Sequence, residues 1–228
     1  MSALTTERFD PSILMSIVNP TIVLNGIDWK SYEMIGEALR DRSGIQMTYD
    51  RGMLEIMTLS LEHERVKKLL SRLIDLISEE MEIEIAPCGS TTYKREAAAR
   101  GLEPDECYYL ENADRIRGKT AIDLERDPPP DFVIEVDVSN RSVKRLPIYA
   151  KLGVPELWRW DNWTMHVHLL GGDGQYAEAE TSSLFISNFD VAELLPFVKV
   201  GLDEGYHAMS RHFRAWLKQY LADRGHAS

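Results

Sequence analysis

The chain has 228 residues, of which 44% are hydrophobic, and this is enough to bury a sizeable core within one large domain. Its formal net charge of −11 argues against a general attraction to nucleic acid over most of the surface, although it leaves room for a local basic cleft. The cysteines, Cys88 and Cys107, are too few for a disulfide framework, so we expect reduced thiols in a cytoplasmic protein.

The N-terminal segment has the pattern of neither a secretory signal nor a membrane-spanning helix. It begins MSALTTERFD, without the basic and apolar regions of a signal. The apolar stretch that follows is short and is interrupted by Asn19 and Pro20, so we expect no membrane association. Beyond it, Trp29–Leu39 has the spacing of a helix.

The next part of the chain predicts a hairpin, a long helix and three strands. Ile45–Leu59 is typical of a β-hairpin that turns at Asp50-Arg51-Gly52. In LEHERVKKLLSRLIDLISEEM, apolar residues recur at steps of three and four, which indicates an amphipathic helix. The strand candidates are Glu82–Pro87, Ser90–Arg95 and Glu103–Asn112.

The second half of the chain adds another strand, two helices and a hairpin. A strand is predicted over Pro130–Ser139, followed by a short helix with Pro147 in its first turn and Gly153 just past its end. A hairpin over residues 156–170 and a C-terminal helix over Leu202–Leu221 complete the chain. This order predicts an α/β fold with a mixed β-sheet in a single domain of residues 1–228, whose core is about residues 45–170.

The strand PDFVIEVDVS carries more acid than its apolar character explains. Successive side chains alternate in direction, so Asp131, Glu135 and Asp137 share one face with Val133, and the opposite face holds Phe132, Ile134, Val136 and Val138. Ionised carboxylates are costly to bury without partners. We therefore expect either neutralising partners or a wet cleft beside this strand.

Asp105 is a second acid within an aromatic strand, on the face that also holds Glu103 and Cys107. If its strand neighbours that of Glu135, the two carboxylates meet across about 5 Å. Hard oxygen ligands at that separation suit Mg²⁺ or Mn²⁺. Asp131 is less well placed, because it lies roughly 13 Å along the strand from Glu135. On spacing alone, solvated or salt-bridged acids at the strand ends are the better explanation.

Three segments in order, EPDECYYLEN, PPDFVIEVDVS and IYAKLGVPELWRW, resemble the Uma-type family of restriction endonucleases, within the PD-(D/E)XK nuclease superfamily. The resemblance implies a restriction-endonuclease-like core, in which a four-stranded mixed sheet is flanked by helices and additional β-hairpins surround it. It also implies a metal near the centre of the sheet, with Asp105 and Glu135 as its ligands.

The lysine of the superfamily pattern is displaced in this chain. Asp137 stands two residues after Glu135, where the superfamily has lysine, and the Uma-type branch commonly carries the lysine shortly before the tyrosine of IYAKLGV. The candidates are Lys144 and Arg145. Position relative to Tyr149 is compatible with Arg145 as the aligned residue and Lys144 as its neighbour, and it does not decide between them. Either side chain would stabilise charge on a phosphorane, whereas only lysine would help to deprotonate water. We expect Lys144 to be the functional cation, with Arg145 second.

The start of the long helix supplies candidate outer-shell partners of a metal, namely Glu62, His63 and Glu64. The resemblance allows such a role, and the helix macrodipole alone also favours acids at this position. His166 and His168 share a strand face, but a solvent-facing hairpin edge explains them better than a metal site.

These observations predict a Mg²⁺- or Mn²⁺-dependent endonuclease that acts on DNA. The alternative is a catalytically impaired protein of the nuclease fold that serves as a nucleic-acid- or protein-binding module, which the displaced lysine and the net charge of −11 both favour. An exposed sheet edge and a tryptophan-rich hairpin also suit a homodimer.

Overall fold

The computed structural model describes residues 20–137 and 144–225, and it contains two β-sheets with helices packed against them. The predicted α/β class, with a mixed sheet flanked by helices and additional hairpins, is confirmed. The N-terminal segment through Asn19, the last two residues of the predicted strand, Val138 and Ser139, and the stretch Asn140–Val143 lie outside the described residues. Within the described ranges, no helix is long and apolar enough to cross a membrane.

The first sheet has five strands, all paired antiparallel, in the order β1-β3-β2-β6-β5. The strands are β1 (Thr21–Asn25), β2 (Ile45–Asp50), β3 (Met53–Thr58), β5 (Tyr93–Arg95) and β6 (Arg100–Leu102). The β2–β3 hairpin is as predicted, and its two-residue turn has positive φ at both Arg51 and Gly52, which matches the twist of the strands. Helix α1 (Trp29–Leu39) covers one face, where the ring of Tyr32 stacks on that of Tyr49.

The second sheet has six strands in the order β11-β10-β9-β8-β7-β4. The strands are β4 (Ala86–Pro87), β7 (Glu106–Tyr109), β8 (Phe132–Asp137), β9 (Glu156–Asp161), β10 (Thr164–Leu170) and β11 (Tyr176–Ala179). Strands β8 and β9 run parallel and the other neighbours run antiparallel, so the sheet is mixed but wider than the four strands that the resemblance implies.

The main core lies between this sheet and the long helix α2 (Leu61–Met81), together with α5 (Leu195–Asp203) and α6 (Tyr206–Asp223). Phe132, Ile134 and Val136 are fully buried there, as the alternation of β8 predicts. The Ser60 hydroxyl accepts a hydrogen bond from the His63 amide and so caps α2, with Glu62 and Glu64 in its first turn. This cap fixes the helix start beside the ends of β7 and β8.

The opposite face of the second sheet packs against the short helix α4 (Leu146–Leu152). Tyr149, on this helix, is buried with Val133 of β8 and Leu157 of β9. A further helical turn, α3 (Ala113–Ile116), follows β7. The buried side chains between the second sheet and α4 therefore surround Glu135.

Several element boundaries differ from the predictions. The strand expected over Glu82–Pro87 is reduced to β4, because Glu82 adopts a left-handed conformation that ends α2. The strand expected over Glu103–Asn112 contains only the four residues of β7. The predicted C-terminal helix is two helices, since Gly205 has φ of 101° and separates α5 from α6.

Candidate metal and nuclease site

Two neighbouring strands bring Asp105 and Glu135 to the same part of the second sheet. Strands β7 and β8 pair with Glu106 opposite Ile134, so the register extended by one residue sets Asp105 opposite Glu135. Alternation then directs both acids to the face that holds Cys107 and Val133. Both residues are buried, with 1% of Asp105 and 4% of Glu135 exposed.

The Asp105 carboxylate is held by groups from three elements. Its Oδ2 accepts a hydrogen bond of 2.7 Å from the backbone amide of Val136 on β8. Its Oδ1 accepts one of 2.8 Å from the side-chain amide of Gln46, which comes from β2 of the first sheet. The His63 Nε2 atom, at the start of α2, lies 3.1 Å from Oδ2. These contacts offset the cost of burying the carboxylate and fix its orientation.

The Glu135 carboxylate forms a buried ion pair with Arg145. The Nη2 atom of Arg145 lies 2.8 Å from Oε1 of Glu135, and only 6% and 5% of the two side chains are exposed. The Tyr149 hydroxyl donates a hydrogen bond to the same carboxylate oxygen and accepts one of 3.0 Å from Arg145. The cation, the phenol and the carboxylate therefore form one compact group beneath α4.

Arg145 stays charged in this buried position. Burial alone would lower its pKa, but the negative charge of Glu135, with Tyr149 and Asp105 nearby, raises the pKa of the guanidinium above its ordinary value. Burial also raises the pKa of Tyr149, so its hydroxyl stays protonated and available as a donor. The Nη1 atom of Arg145 donates to Oε1 of Gln46 at 3.0 Å, and Nη2 donates to the carbonyl of Glu103.

The structure separates the two adjacent candidate cations. Lys144 is exposed, whereas Arg145 is 7% exposed and contacts Glu135 directly. Both residues immediately precede α4, and the entry to this helix turns one side chain outward and the other inward. Arg145, and not the expected Lys144, is therefore the basic residue that contacts Glu135.

The three outer-shell candidates on α2 differ in what they contact. His63 is fully buried between Asp105 and Glu64, with its Nδ1 atom 3.5 Å from the Glu64 carboxylate. Glu64 also pairs with Lys67, a buried lysine one turn along the helix, at 2.9 Å. His63 is thus in direct contact with Asp105.

Asp131 has a separate role at the start of β8. Its carboxylate accepts hydrogen bonds from the backbone amides of Leu110 and Asn112 at 2.6 and 3.0 Å, and from the Asn112 side chain at 2.6 Å. It therefore organises the connection that leaves β7, and its oxygens are directed away from Glu135 toward that loop.

The histidines of β10 form their own contacts. The Nδ1 atom of His166 lies 2.6 Å from the Glu178 carboxylate on β11, and its ring stacks on that of His168. Burial lowers the pKa of His168. These contacts lie on β10 and β11, and none of those described here joins the two histidines to Asp105 or Glu135.

Asp105 and Glu135 match the chemistry of a hard divalent cation, since Mg²⁺ prefers carboxylate oxygens and retains several waters. Among the described residues, no group of three His, Cys, Asp or Glu side chains is arranged to hold a metal. A cation here would therefore rest on two carboxylates, with water completing its coordination. The donor set fits such an ion, although Arg145 already neutralises part of the Glu135 charge.

The sequence did not indicate Gln46, which hydrogen-bonds both to Asp105 and to Arg145, the partner of Glu135. Gln46 is 3% exposed and belongs to the strand IQMTYD, where its alternation with Met47 marks a polar face but says nothing about its partners. Only the packing of the two sheets brings β2 to the end of β7, because Gln46 and Asp105 are 59 residues apart.

Comparison with known proteins places these features in a family context. The model of the family described as "Uma2: Putative restriction endonuclease" matches residues 31–202, a range that contains all three segments behind the resemblance and confirms it. Among solved structures, the chain is similar to a protein from Anabaena variabilis described as a "putative nuclease belonging to DUF820". The two share 14% identity over 67% of this chain and 90% of the other, with a TM-score of 0.48. None of the curated proteins compared with the chain matches it.

Proposed function

Because the chain belongs to the Uma2 family of putative restriction endonucleases, we propose that it is a Mg²⁺- or Mn²⁺-dependent endonuclease that hydrolyses phosphodiester bonds in DNA. The observation that carries the proposal is the pair of buried acids, Asp105 and Glu135, set opposite each other on adjacent strands with a buried arginine beside them.

Asp105 and Glu135 would hold the cation. When bound, such an ion supplies a Lewis acid that screens the charge of the scissile phosphate and lowers the pKa of water. The protein's own contribution is to hold both carboxylates in a fixed orientation. The Val136 amide and Gln46 hold Asp105, while Tyr149 and Arg145 hold Glu135.

Arg145 would stabilise the negative charge that develops on the phosphate in the transition state. A guanidinium that stays protonated provides fixed donors toward that charge, and a buried site strengthens the effect because water is excluded. Arg145 takes no proton from water, in contrast to the role expected of Lys144.

The test is cleavage of supercoiled plasmid and of single-stranded DNA by purified protein, first with Mg²⁺ and then with Mn²⁺. We expect Asp105→Asn and Glu135→Gln to abolish cleavage and to remove the calorimetric signal of metal binding. Glu111→Gln, at an exposed acid just beyond β7, is the matched control and should behave like the parent. Equal activity in all four proteins would contradict the proposal.

A second experiment tests the role of the Arg145 guanidinium. Arg145→Ala should lower the cleavage rate, whereas Lys144→Ala, at the exposed neighbour, should leave it close to that of the parent. If both variants retain full activity, the proposed charge-stabilising role of Arg145 is wrong.

A catalytically impaired binding module is the second candidate, and the ion pair itself favours it. The basic residue that lies in the site is an arginine, which takes no proton from water, and it is already engaged by Glu135. Absence of cleavage with either metal, combined with retained binding of DNA or protein, would support this function. The expected homodimer and the single-domain organisation stay predictions, which light scattering and limited proteolysis would test.

A further inference from the structure

We propose that Gln46 is a positioning residue that holds Asp105 and Arg145 in the arrangement needed for metal binding and catalysis. This inference rests on the proposed nuclease function and assigns a role to a residue of the other β-sheet. Gln46 belongs to β2, and its buried side chain reaches across to the ends of β7 and α4.

The contacts of Gln46 use both ends of its amide. The Nε2 group donates to Oδ1 of Asp105 and to the carbonyl of Glu103, each at 2.8 Å. The Oε1 atom accepts from Nη1 of Arg145 at 3.0 Å. Because an amide donates only through nitrogen and accepts only through oxygen, these partners define a single orientation of the group.

No other side chain of this length satisfies both partners. A glutamate would direct a negative oxygen at the Asp105 carboxylate, and a lysine would direct its ammonium at Arg145. A methionine would leave a buried carboxylate and a buried guanidinium each short of a hydrogen bond. The neutral amide is thus matched to an anion at one end and a cation at the other.

The Gln46 amide also favours the ion pair of Arg145 with Glu135 over one with Asp105. Asp105 and Arg145 each hydrogen-bond to the same Gln46 amide, so their opposite charges lie on either side of one neutral group. Gln46 lies between them and supplies each with a neutral partner, while Arg145 pairs with Glu135 instead. Without the amide, Arg145 would move toward Asp105 and compete with a cation for its oxygens.

The first test measures Mn²⁺ binding by titration calorimetry without DNA. For Gln46→Met we expect Mn²⁺ affinity to fall by about 10- to 100-fold, the usual cost of removing a group that orients a metal ligand. Thr48→Val is the matched control, because Thr48 is equally buried and shares the strand face of Gln46, and its affinity should equal that of the parent.

Kinetics on plasmid DNA supply a second readout. Gln46 contacts Asp105 and Arg145 rather than DNA. Gln46→Met should therefore lower kcat by a factor similar to the loss of Mn²⁺ affinity and change KM little. If Gln46→Met does not fold, Gln46→Asn, with the same amide one methylene shorter, should give an intermediate loss of affinity. A Gln46 variant that folds, binds Mn²⁺ like the parent and keeps the parent kcat would overturn the proposal.

An experiment that needs no metal distinguishes failure of this inference from failure of the proposed function. If the parent neither binds Mn²⁺ nor cuts DNA, the proposed function fails, and a double-mutant cycle between Gln46→Met and Asp105→Asn in denaturant unfolding tests the positioning contact alone. Non-additive effects of the two changes would support the contact, and additive effects would overturn it.

Discussion

Arg145 is a buried cation whose charge is balanced by the Glu135 carboxylate. Replacing it with methionine removes one partner of a buried ion pair and leaves the Glu135 carboxylate uncompensated. We expect Arg145→Met to lower the free energy of unfolding by roughly 3–5 kcal/mol at neutral pH, measured by denaturant titration. Lys144→Met, at the exposed neighbour, should change it by less than about 0.5 kcal/mol. Equal losses in the two variants would contradict the buried pair.

Glu106 gives a prediction of pH dependence. Burial raises the pKa of Glu106, and the Lys68 ammonium 3.3 Å away offsets only part of the rise. Because its folded pKa exceeds its unfolded value, its contribution to stability is fully present below the unfolded pKa of about 4.3 and is lost as the pH rises through the folded pKa. The stability of Glu106→Gln relative to the parent should therefore increase from about pH 4 to about pH 8 in thermal unfolding. A difference that is constant over this range would refute the expectation.

At the scale of elements, the end of α4 determines where Tyr149 and its hydroxyl lie. Gly153 has φ of 85°, and its amide donates to the Tyr149 carbonyl at 2.9 Å, which closes the helix. An added Cβ would meet only Pro129 at 3.8 Å, so the cost of alanine comes from the backbone conformation. We expect Gly153→Ala to lower the free energy of unfolding by roughly 1–2 kcal/mol.

Gly172→Ala is the control for this helix end. Gly172 lies outside the left-handed region, and a Cβ there would meet no atom within 4 Å. Its substitution should be close to neutral in the same unfolding measurement. A loss as large as that of Gly153→Ala would show that the conformation of Gly153 is not the cause.

At the scale of the whole molecule, a bound cation should stabilise the fold. A ligand that binds only the folded state adds about 2.7 kcal/mol when present at about 100 times its dissociation constant. We expect Mn²⁺ to raise the free energy of unfolding of the parent by this amount and to leave Asp105→Asn unchanged. An equal rise in both proteins would place the cation elsewhere.

The parts of this fold that depend on nearby residues were predictable, whereas the contacts between sheets were not. The alternation of β8, the stripe of α2 and the two-residue turn after Asp50 all depend on neighbours in the chain. The choice between Lys144 and Arg145 depends on the exact direction of the chain at the entry to α4, which spacing does not fix. Gln46 was missed because its partners are defined only when the two sheets meet.

The distance along the chain between Gln46 and Arg145, which is 99 residues, has a consequence for the order of folding. Contacts between residues so far apart in sequence form after hairpins and helices. The chain must first lose the entropy of closing a long loop, and only then does the contact contribute favourable energy. During synthesis, β2 and α2 emerge well before Arg145 exists. A partly made chain therefore has Asp105 without its complete set of partners, and the proposed site is complete only in the finished tertiary structure.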